Sequence, residues 1–404
     1  MIRTGSLPAF ARLSVLSLCL VLIACSREPA APPPEPEIET DTPARPVFEV
    51  LRWDDIAAWP QLDLGPAAQA FARSCRAIED QAADSPLSEL GPAYGSRGEW
   101  QAVCAERSAL APRAFFESRF IPVRVRFGGQ ATGLLTGYYE PEVAVRRAPG
   151  GEFTHPVRAR PGDLLSADLG AFADDLAGRR LVGRVEGNRF IPYRERDEIE
   201  RSDSGDVLAW GRPVDIFFLQ IQGSGRLVFE DGETVRAAFA AHNGQPYVSI
   251  GRELVALGEL ELHEASKAGI EAWLAENGPG ATAELFSVNP RYVFFGLEPL
   301  PDPNLGPRGA AGLPLTPMGS VAVDPGFLPY GVPVVLSADL PGEDGWTGVV
   351  VTQDTGGAIT GPLRGDLFYG WGEMAERRAG STRSEAGWIV LVPRSVAERL
   401  TRAS

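Results

Sequence analysis

The spacing of apolar residues changes near residue 119, and this change restricts the fold more than any other feature of the chain. From 121 to 127, apolar side chains alternate with proline and arginine, which is typical of a strand with one buried face. A second strand is predicted at 134–141, and short apolar strands are predicted at 332–336, 349–352 and 388–392. The chain is therefore expected to be mainly β after residue 119.

Residues 50–118 have a helical spacing instead. Two apolar helix faces are predicted there, one with Leu64, Phe71, Cys75 and Ile78 and one with Trp100, Val103 and Cys104. Breaks are expected at 65–66 and 92–98, and the helical segment is expected to end near Pro112. The pattern predicts a mainly β fold with an N-terminal helical segment.

The stretch that follows the second strand is polar and rich in glycine and arginine. Residues 215–222 are predicted to form a strand, because Phe, Leu and Ile alternate there with Gln. A hairpin turn is predicted at 231–232. An amphipathic helix that includes Leu262 is expected to stop at 277–279.

The start of the chain predicts a signal peptide. Arg3 and Arg12 precede an apolar run at 13–24 that is too short to span a bilayer. The run ends in Leu-Ile-Ala before Cys25 and resembles a bacterial lipobox, in which the cysteine is lipidated; an ordinary signal peptide is the alternative. Ser26 favours the outer membrane, so the expected location is its periplasmic face, anchored by lipid.

Prolines and acidic residues dominate 25–46, which predicts an extended tether. The chain is 44% apolar and 23% charged, as in globular proteins, and its length of 404 residues indicates two domains. Its net charge of −15 argues against a nucleic-acid partner, because neutralising phosphates needs clustered Lys and Arg.

Two of the four cysteines remain for the folded body. Cys19 is expected to be lost with the signal peptide, and Cys25 is the lipidation site. Export to an oxidising compartment favours a disulfide between Cys75 and Cys104, and two buried thiols are the alternative.

No metal and no cofactor are expected. His155, His242 and His263 are far apart in the sequence and are not at metal-ligand spacing. The Gly-Ser-Gly run at 223–225 does not have the spacing of a nucleophile elbow. Two interpretations of this run remain: its backbone amides face a ligand, or its glycines form a bend in the chain.

Three aspartates, Asp324, Asp354 and Asp366, occur among glycine, proline and apolar strand residues. A short glycine-rich segment joins Asp354 to Asp366, so their carboxylates are expected to lie close together. Like charges at short range raise one pKa, as a general acid near neutral pH requires. The alternative is that these aspartates only cap and bend the backbone.

Four sequence blocks carry a resemblance to a known family. They are Gly-Tyr-Tyr-Glu-Pro at 137–141, Gln-Ile-Gln-Gly-Ser-Gly at 220–225, Asn-Pro-Arg-Tyr-Val-Phe-Phe at 289–295 and the three-aspartate segment. From about 120 to 395 the chain resembles the membrane-bound lytic murein transglycosylase A family. The match is weak over 47–118, and the segment from Asp354 to Asp366 is one residue longer than in the family's pattern.

The resemblance implies a fold and a domain order. The family's three-aspartate module folds as a double-psi β-barrel, a smaller β-domain is inserted, and the substrate groove lies between the two. The expected segments are a signal peptide at 1–24, the lipidated cysteine and tether at 25–46, the main domain at 47–144 and 297–404, and the inserted β-domain at 145–296.

The resemblance also implies an activity. The family's catalytic aspartate falls on Asp366, with Asp354 beside it. The implied enzyme is a peptidoglycan lytic exotransglycosylase, which cleaves the β-1,4 bond between N-acetylmuramic acid (MurNAc) and N-acetylglucosamine (GlcNAc). One aspartate acts as acid and base and leaves a 1,6-anhydro end. A hydrolase on the same barrel and a non-catalytic glycan-binding module remain as alternatives.

Candidate substrate contacts follow from the same blocks. Aromatic faces suit sugar rings and amides suit acetamido groups, although core packing is the alternative for Tyr139. The expected contacts are Tyr138, Tyr139, Gln222, Gly223, Ser224, Gly225 and Asp324. Expected partners are peptidoglycan glycan strands, the membrane through the lipid anchor, and cell-wall synthesis complexes.

The lipid anchor can be tested by replacing its attachment site. Cys25→Ala removes the thiol that is acylated, so the variant should leave the membrane fraction and lose the mass of the lipid. Fractionation and intact mass spectrometry measure both effects. A variant that keeps its membrane association and its lipid mass would contradict the prediction.

Overall fold

The computed structural model describes residues 46–87, 92–176, 178–202 and 205–403. The predicted signal peptide, the lipidation site Cys25 and the tether up to residue 45 lie outside the described residues. Among the described residues, none of the helices combines the length and apolar composition needed to cross a membrane.

The described residues form seventeen β-strands. They are β1 Val47–Val50, β2 Phe120–Arg126, β3 Thr132–Glu140, β4 Glu142–Val145, β5 His155–Arg158, β6 Leu165–Asp168, β7 Arg180–Glu186, β8 Arg189–Pro192, β9 Val207–Gly211, β10 Gly225–Phe229, β11 Thr234–His242, β12 Val293–Pro299, β13 Ser320–Val323, β14 Pro333–Leu340, β15 Glu343–Asp354, β16 Gly365–Trp371 and β17 Arg383–Pro393.

Helices occur before, between and after these strands. They are α1 Gly65–Glu79, α2 Arg97–Cys104, α3 Pro112–Arg119, α4 Arg196–Glu200, α5 Pro213–Gln222, α6 Ile250–Ala256, α7 Lys267–Ser287, α8 Gly372–Ser381 and α9 Arg394–Ala403. Short 3-10 turns lie at Trp53–Asp55, Trp59–Gln61, Pro92–Tyr94, Leu169–Ala171, Asp174–Leu176 and Leu262–Glu264.

Six of the strands close into a barrel, in the order β17-β14-β15-β13-β16-β3 with β3 returning to β17. The first half of β17 pairs with β3, and its second half pairs with β2, which carries β1 at the outer edge. Closure removes the free edges that an open sheet would expose. The barrel and its N-terminal helices share one apolar core.

The insert begins where β3 passes through Pro141 into β4. Its main sheet has the order β12-β11-β10-β4, and a two-stranded sheet (β5-β9) and a three-stranded sheet (β6-β7-β8) accompany it. Separate apolar clusters form its interior. A closed barrel with a second, smaller β-unit confirms the predicted fold class.

The N-terminal helices pack against the barrel through a polar contact as well as through their apolar faces. Gln353 of β15 is fully buried, and its Nε2 donates to Ala70 O and Ser74 Oγ of α1, each at 2.8 Å.

The expected helix boundaries were wrong at two prolines. Pro66 lies in the first turn of α1 and Pro112 begins α3, because a helix start does not need the N–H that proline lacks.

The predicted strand at 215–222 is wrong, because these residues form helix α5. Pro213 begins the helix, and Gly223 ends it in the left-handed region with φ 80°. Ile216 and Leu219 pack into one apolar cluster of the insert, while Phe217 packs into another. A helix buried on two sides lacks a single apolar stripe, so its spacing was mistaken for that of a strand.

The other predicted elements of the insert are found with smaller differences. β10 and β11 form the hairpin that turns at Gly232. The helical run of α7 is interrupted at Gly278, as expected, but it resumes at Pro279 and continues to Ser287. Leu262 lies in a 3-10 turn before this helix and is exposed.

Cys75 of α1 and Cys104 at the end of α2 form a disulfide, and both are fully buried. The two residues are separated by 29 positions, so the bond closes a loop that includes the connection between the helices. It restricts the unfolded chain in the region where the helices meet the barrel.

The disulfide predicts a measurable contribution to stability. A Cys75→Ala and Cys104→Ala double variant should lose about 3 to 4 kcal/mol of unfolding free energy, because the loop is no longer closed in the unfolded state. Denaturant unfolding measures the loss. Alkylation of the denatured wild type should label neither cysteine without reductant and both with it. Two labelled thiols before reduction would contradict the bond.

Candidate active site

Two of the three aspartates lie in one row across the barrel. β13 pairs with β15 so that Ala322 faces Asp354, and it pairs with β16 so that Ala322 faces Asp366. On the next strand, Thr136 of β3 faces Asp366. Directly opposed residues project from the same face of a sheet, so Thr136, Asp366, Ala322 and Asp354 form a continuous row.

One carboxylate oxygen of Asp366 is held and the other is not. Thr136 Oγ1 donates to Asp366 Oδ1 at 2.6 Å, and Arg364 Nη2 donates to Thr136 Oγ1 at 2.9 Å. Because Thr136 accepts from Arg364, its own proton is directed at Asp366. Among the described residues, Oδ2 of Asp366 has no hydrogen-bond partner. A proton is therefore accommodated on Oδ2.

Burial raises the pKa of Asp366 from its ordinary value of 3.8 to about 6. The hydrogen bond from Thr136 and the charge of Arg364 act in the opposite direction, since both favour the ionised form. The negative charge of Asp354 contributes the smallest increase. A carboxyl group with this pKa exchanges protons close to neutral pH.

Both oxygens of Asp354 are occupied by donors. Oδ1 accepts from the backbone N–H of Ala310 at 2.8 Å and of Thr355 at 2.9 Å, and Oδ2 accepts from Tyr138 Oη at 2.9 Å. Burial raises the pKa of Asp354 above its ordinary value, and these three hydrogen bonds reduce that rise without cancelling it. The donors favour a carboxylate that stays ionised and fixed in position.

The expected repulsion between Asp354 and Asp366 is present and raises the pKa of Asp366, but it is not the main cause of that rise. Two strand spacings of about 4.8 Å separate them, so their Cα atoms lie roughly 10 Å apart, with Ala322 between. At that separation repulsion is weaker than desolvation. Burial, and not Asp354, is the largest cause of the raised pKa of Asp366.

A cleft of about 910 Å³ opens in front of this row, between the barrel and the insert. Tyr138, Asp354 and Asp366 line it from the barrel. Gln222, Gly223 and Ser224 line it from the C-terminal end of α5. Thus four of the predicted substrate contacts and both predicted catalytic residues share one cleft.

Three predicted substrate contacts are not among the lining residues of this cleft. Tyr139 follows Tyr138 on a strand, projects from the opposite face and packs in the barrel core. Gly225 is enclosed, since a Cβ there would lie 2.3 Å from Leu219. Asp324 accepts from Gly361 N at 2.7 Å, which ties down the segment between Asp354 and Asp366.

Sequence reasoning missed several residues of the site. Thr136 is 230 positions from Asp366, and only strand pairing brings them together. Arg364 was visible as a charge two residues before Asp366, although nothing in the sequence links it to Thr136. Arg291 and Arg308 also line the cleft. The described residues contain no group of three or more His, Cys, Asp or Glu side chains suited to hold a metal ion.

Comparison with known proteins gives a consistent result. The MltA specific insert domain matches residues 134–296, and the 3D domain matches residues 319–392. Membrane-bound lytic murein transglycosylase A of Vibrio cholerae is 30% identical over 302 residues, which cover 72% of each chain. This chain belongs to the membrane-bound lytic murein transglycosylase A family.

Solved structures of the transglycosylase A family have the same fold. A membrane-bound lytic murein transglycosylase from Agrobacterium tumefaciens aligns with a TM-score of 0.76 at 29% identity, covering 88% of this chain and 99% of that one. The Escherichia coli MltA with bound chitohexaose aligns with a TM-score of 0.61 at 24% identity, covering 86% and 94%. The latter likeness concerns the fold alone.

The raised pKa of Asp366 predicts a cost in stability. Because its folded-state pKa lies above the unfolded value, the folded state binds the proton more tightly. The free energy of unfolding therefore falls as pH rises from about 4 to 6, and the full cost is present above pH 6. Asp366→Asn should thus stabilise the protein by up to about 3 kcal/mol at pH 7.5 and by much less at pH 4.

Urea unfolding at the two pH values measures this difference. Asp344→Asn is the matched control, because Asp344 is exposed and lies in a hairpin away from the cleft. It should change stability little at either pH. If the free energy of unfolding of Asp366→Asn, relative to the wild type, is no larger at pH 7.5 than at pH 4, the raised pKa of Asp366 is contradicted.

Proposed function

We propose that this protein is a lytic transglycosylase that cleaves the β-1,4 bond between MurNAc and GlcNAc in peptidoglycan and forms 1,6-anhydromuramic ends. The observation that carries the proposal is the state of Asp366. It lies in the cleft with a pKa of about 6, with one oxygen held by Thr136 and the other without a partner among the described residues. Membership of the family supports the reaction type.

In the first step, Asp366 acts as the general acid. Oδ2 gives its proton to the oxygen that joins MurNAc C1 to GlcNAc, and the C1–O bond breaks with its electron pair on that oxygen. GlcNAc leaves with a free 4-hydroxyl, and an oxocarbenium-like MurNAc remains. Thr136 then stabilises the new carboxylate of Asp366 through the hydrogen bond to Oδ1.

In the second step, the same carboxylate acts as the base. It takes the proton from the 6-hydroxyl of the MurNAc ring, and O6 bonds to C1 to close the anhydro ring. Asp366 is protonated again, so the cycle consumes no water. An intramolecular hydroxyl has a high effective molarity, which allows it to react before solvent does.

Asp354 supports this chemistry without exchanging a proton. Its hydrogen bonds to Tyr138, Ala310 and Thr355 hold a negative charge at the edge of the cleft. A fixed negative charge stabilises the positive charge that develops on the sugar ring. We therefore assign Asp354 the role of an electrostatic and positioning group.

The remaining cleft residues bind the glycan. The ring of Tyr138 packs against Phe368 with ring centroids 5.2 Å apart, so its position is fixed for contact with a sugar face. Gln222 Oε1 accepts from Tyr139 N at 3.3 Å, which links the two walls of the cleft. Gly223 and Ser224 continue the wall with polar groups suited to acetamido and hydroxyl groups.

The segments outside the described residues complete the proposal. We propose that residues 1–24 direct export, that Cys25 carries a lipid in the outer membrane, and that the tether to residue 46 lets the enzyme reach glycan strands from the periplasmic face. Cell-wall synthesis complexes are proposed as protein partners. In place of the expected bounds of 145–296, we assign the insert to 142–299, because β4 and β12 are strands of its main sheet, and the barrel domain to 47–141 and 300–404.

The arrangement of Asp354 argues against the hydrolase alternative. An inverting hydrolase needs a second carboxylate with an oxygen free to accept a proton from water. Both oxygens of Asp354 already accept hydrogen bonds from protein donors. The geometry therefore favours ring closure by the 6-hydroxyl over attack by water.

Mass spectrometry of the products from purified glycan strands tests the proposal. The wild type should release anhydro ends, which are one water lighter than hydrolysis products. Asp366→Asn should lower this rate by at least about 10³ to 10⁴-fold, because it removes acid and base together. The wild-type rate should fall as pH rises above about 6, since the acid is then deprotonated.

Asp344→Asn serves as the control and should keep its normal rate, and a melting curve must show that each variant is folded. Products heavier by one water would favour the hydrolase. Binding of glycan without any cleavage by the wild type would favour the non-catalytic module. Near-normal anhydro release by Asp366→Asn would show that another group supplies the proton.

A further inference from the structure

Two arginines of the cleft have no acidic partner. Arg291 and Arg308 both line it, and neither has a carboxylate within 4.0 Å among the described residues. Arg196 lines the same cleft and differs, because its Nη1 is paired with Glu200 at 3.0 Å. In a chain with a net charge of −15, two unpaired guanidinium groups in one cleft favour an anionic ligand.

Arg291 reaches from the insert towards the catalytic side of the cleft. It precedes β12 and is half-buried, and its Nη1 donates to Gln245 O at 3.2 Å. Its Cζ lies 3.5 Å from the position that a Cβ of Gly357 would occupy, so the guanidinium lies against that backbone. Gly357 is three residues from Asp354, so their Cα atoms are at most about 11 Å apart.

The positive charge at this place belongs to the arginines and not to the neighbouring histidine. Burial, and then the charge of Arg291, lower the pKa of His242 to about 4, so this histidine is neutral at pH 7. Arg291 stays charged despite partial burial, because arginine is not deprotonated in proteins. A half-buried charge without a counter-ion is costly, and an anionic ligand would remove that cost.

We propose that Arg291 binds a carboxylate carried on the 3-O-lactyl arm of MurNAc, with Arg308 adding positive charge at the exposed side. This inference rests on the proposed function. C1 and C3 belong to the same sugar ring, so the lactyl arm of the MurNAc that reacts at Asp366 starts in the cleft that Asp366 and Arg291 both line. A planar guanidinium binds a carboxylate through two parallel hydrogen bonds, which suits this task.

The carboxylate has two sources. In peptide-free strands it is the lactyl carboxylate itself, whereas in peptide-bearing strands that group is an amide and the carboxylates belong to the peptide. Four probes separate these cases: peptide-free strands and peptide-bearing strands, each with its carboxylates free or converted to methyl amides. The purified wild type should show about ten- to hundredfold higher kcat/KM on the free form of at least one pair.

Variants assign this preference to Arg291. Arg291→Gln should lose about ten- to hundredfold on the preferred free-acid strands, mainly through KM, and almost nothing on the methyl amides. Arg291→Lys should lose less, because it keeps the charge. Arg189→Gln is the control, since Arg189 is exposed on β8 and does not line the cleft, and it should match the wild type.

If the wild type prefers the free acid in the peptide-free pair, the group that binds Arg291 is the lactyl carboxylate. If it prefers the free acid only in the peptide-bearing pair, that group is a carboxylate of the peptide. Equal kcat/KM of the wild type in both pairs, or an equal loss of Arg291→Gln on all four probes, would overturn the inference. If Arg291→Gln fails to fold, the wild-type ratios of kcat/KM between free-acid and methyl-amide strands still test whether a carboxylate is recognised. If no strand yields anhydro ends, the proposed function fails, and equilibrium binding of the four probes to Asp366→Asn still tests carboxylate recognition.

Discussion

One buried carboxylate holds the two parts of the molecule together. Glu140 ends β3 with no exposed surface and accepts from Arg226 Nε at 2.9 Å and Arg236 Nε at 2.6 Å. The same guanidinium groups donate to Pro303 O and Leu305 O, on the segment that returns from the insert to the barrel. One cluster thus fixes both chain crossings, and loss of a single partner would leave a buried charge uncompensated.

This cluster lies outside the cleft and yet determines its shape. β3 carries Thr136 and Tyr138 just before Glu140. β10, which carries Arg226, directly follows the cleft wall at 222–224, and β11, which carries Arg236, pairs with β10. Arg226 also stacks over Trp371, which ends β16, the strand that carries Asp366. A shift of the cluster would therefore move the acid, its hydrogen-bond donor and the opposite wall relative to one another.

The sequence predicted those parts that depend on local spacing or on a motif. Alternation found β2, which has one buried face, and short apolar runs found the barrel strands β14, β15 and β17. The three-aspartate motif placed Asp366 and Asp354 in one site. Sequence reasoning failed for α5, because Phe217 and Leu219 are buried in different clusters and leave no single apolar stripe. It also missed Thr136, because a contact across 230 positions depends on strand pairing.

An aspartate that donates and then recovers the same proton works best when neither form is strongly favoured. Burial alone would hold Asp366 protonated, while Thr136 and Arg364 favour its ionised form, and the balance gives a pKa of about 6. The intervening Ala322 keeps the carboxylate of Asp354 far enough away to add little to that balance. Because the two groups are weakly coupled, the proton cycle depends on one titrating residue instead of a pair.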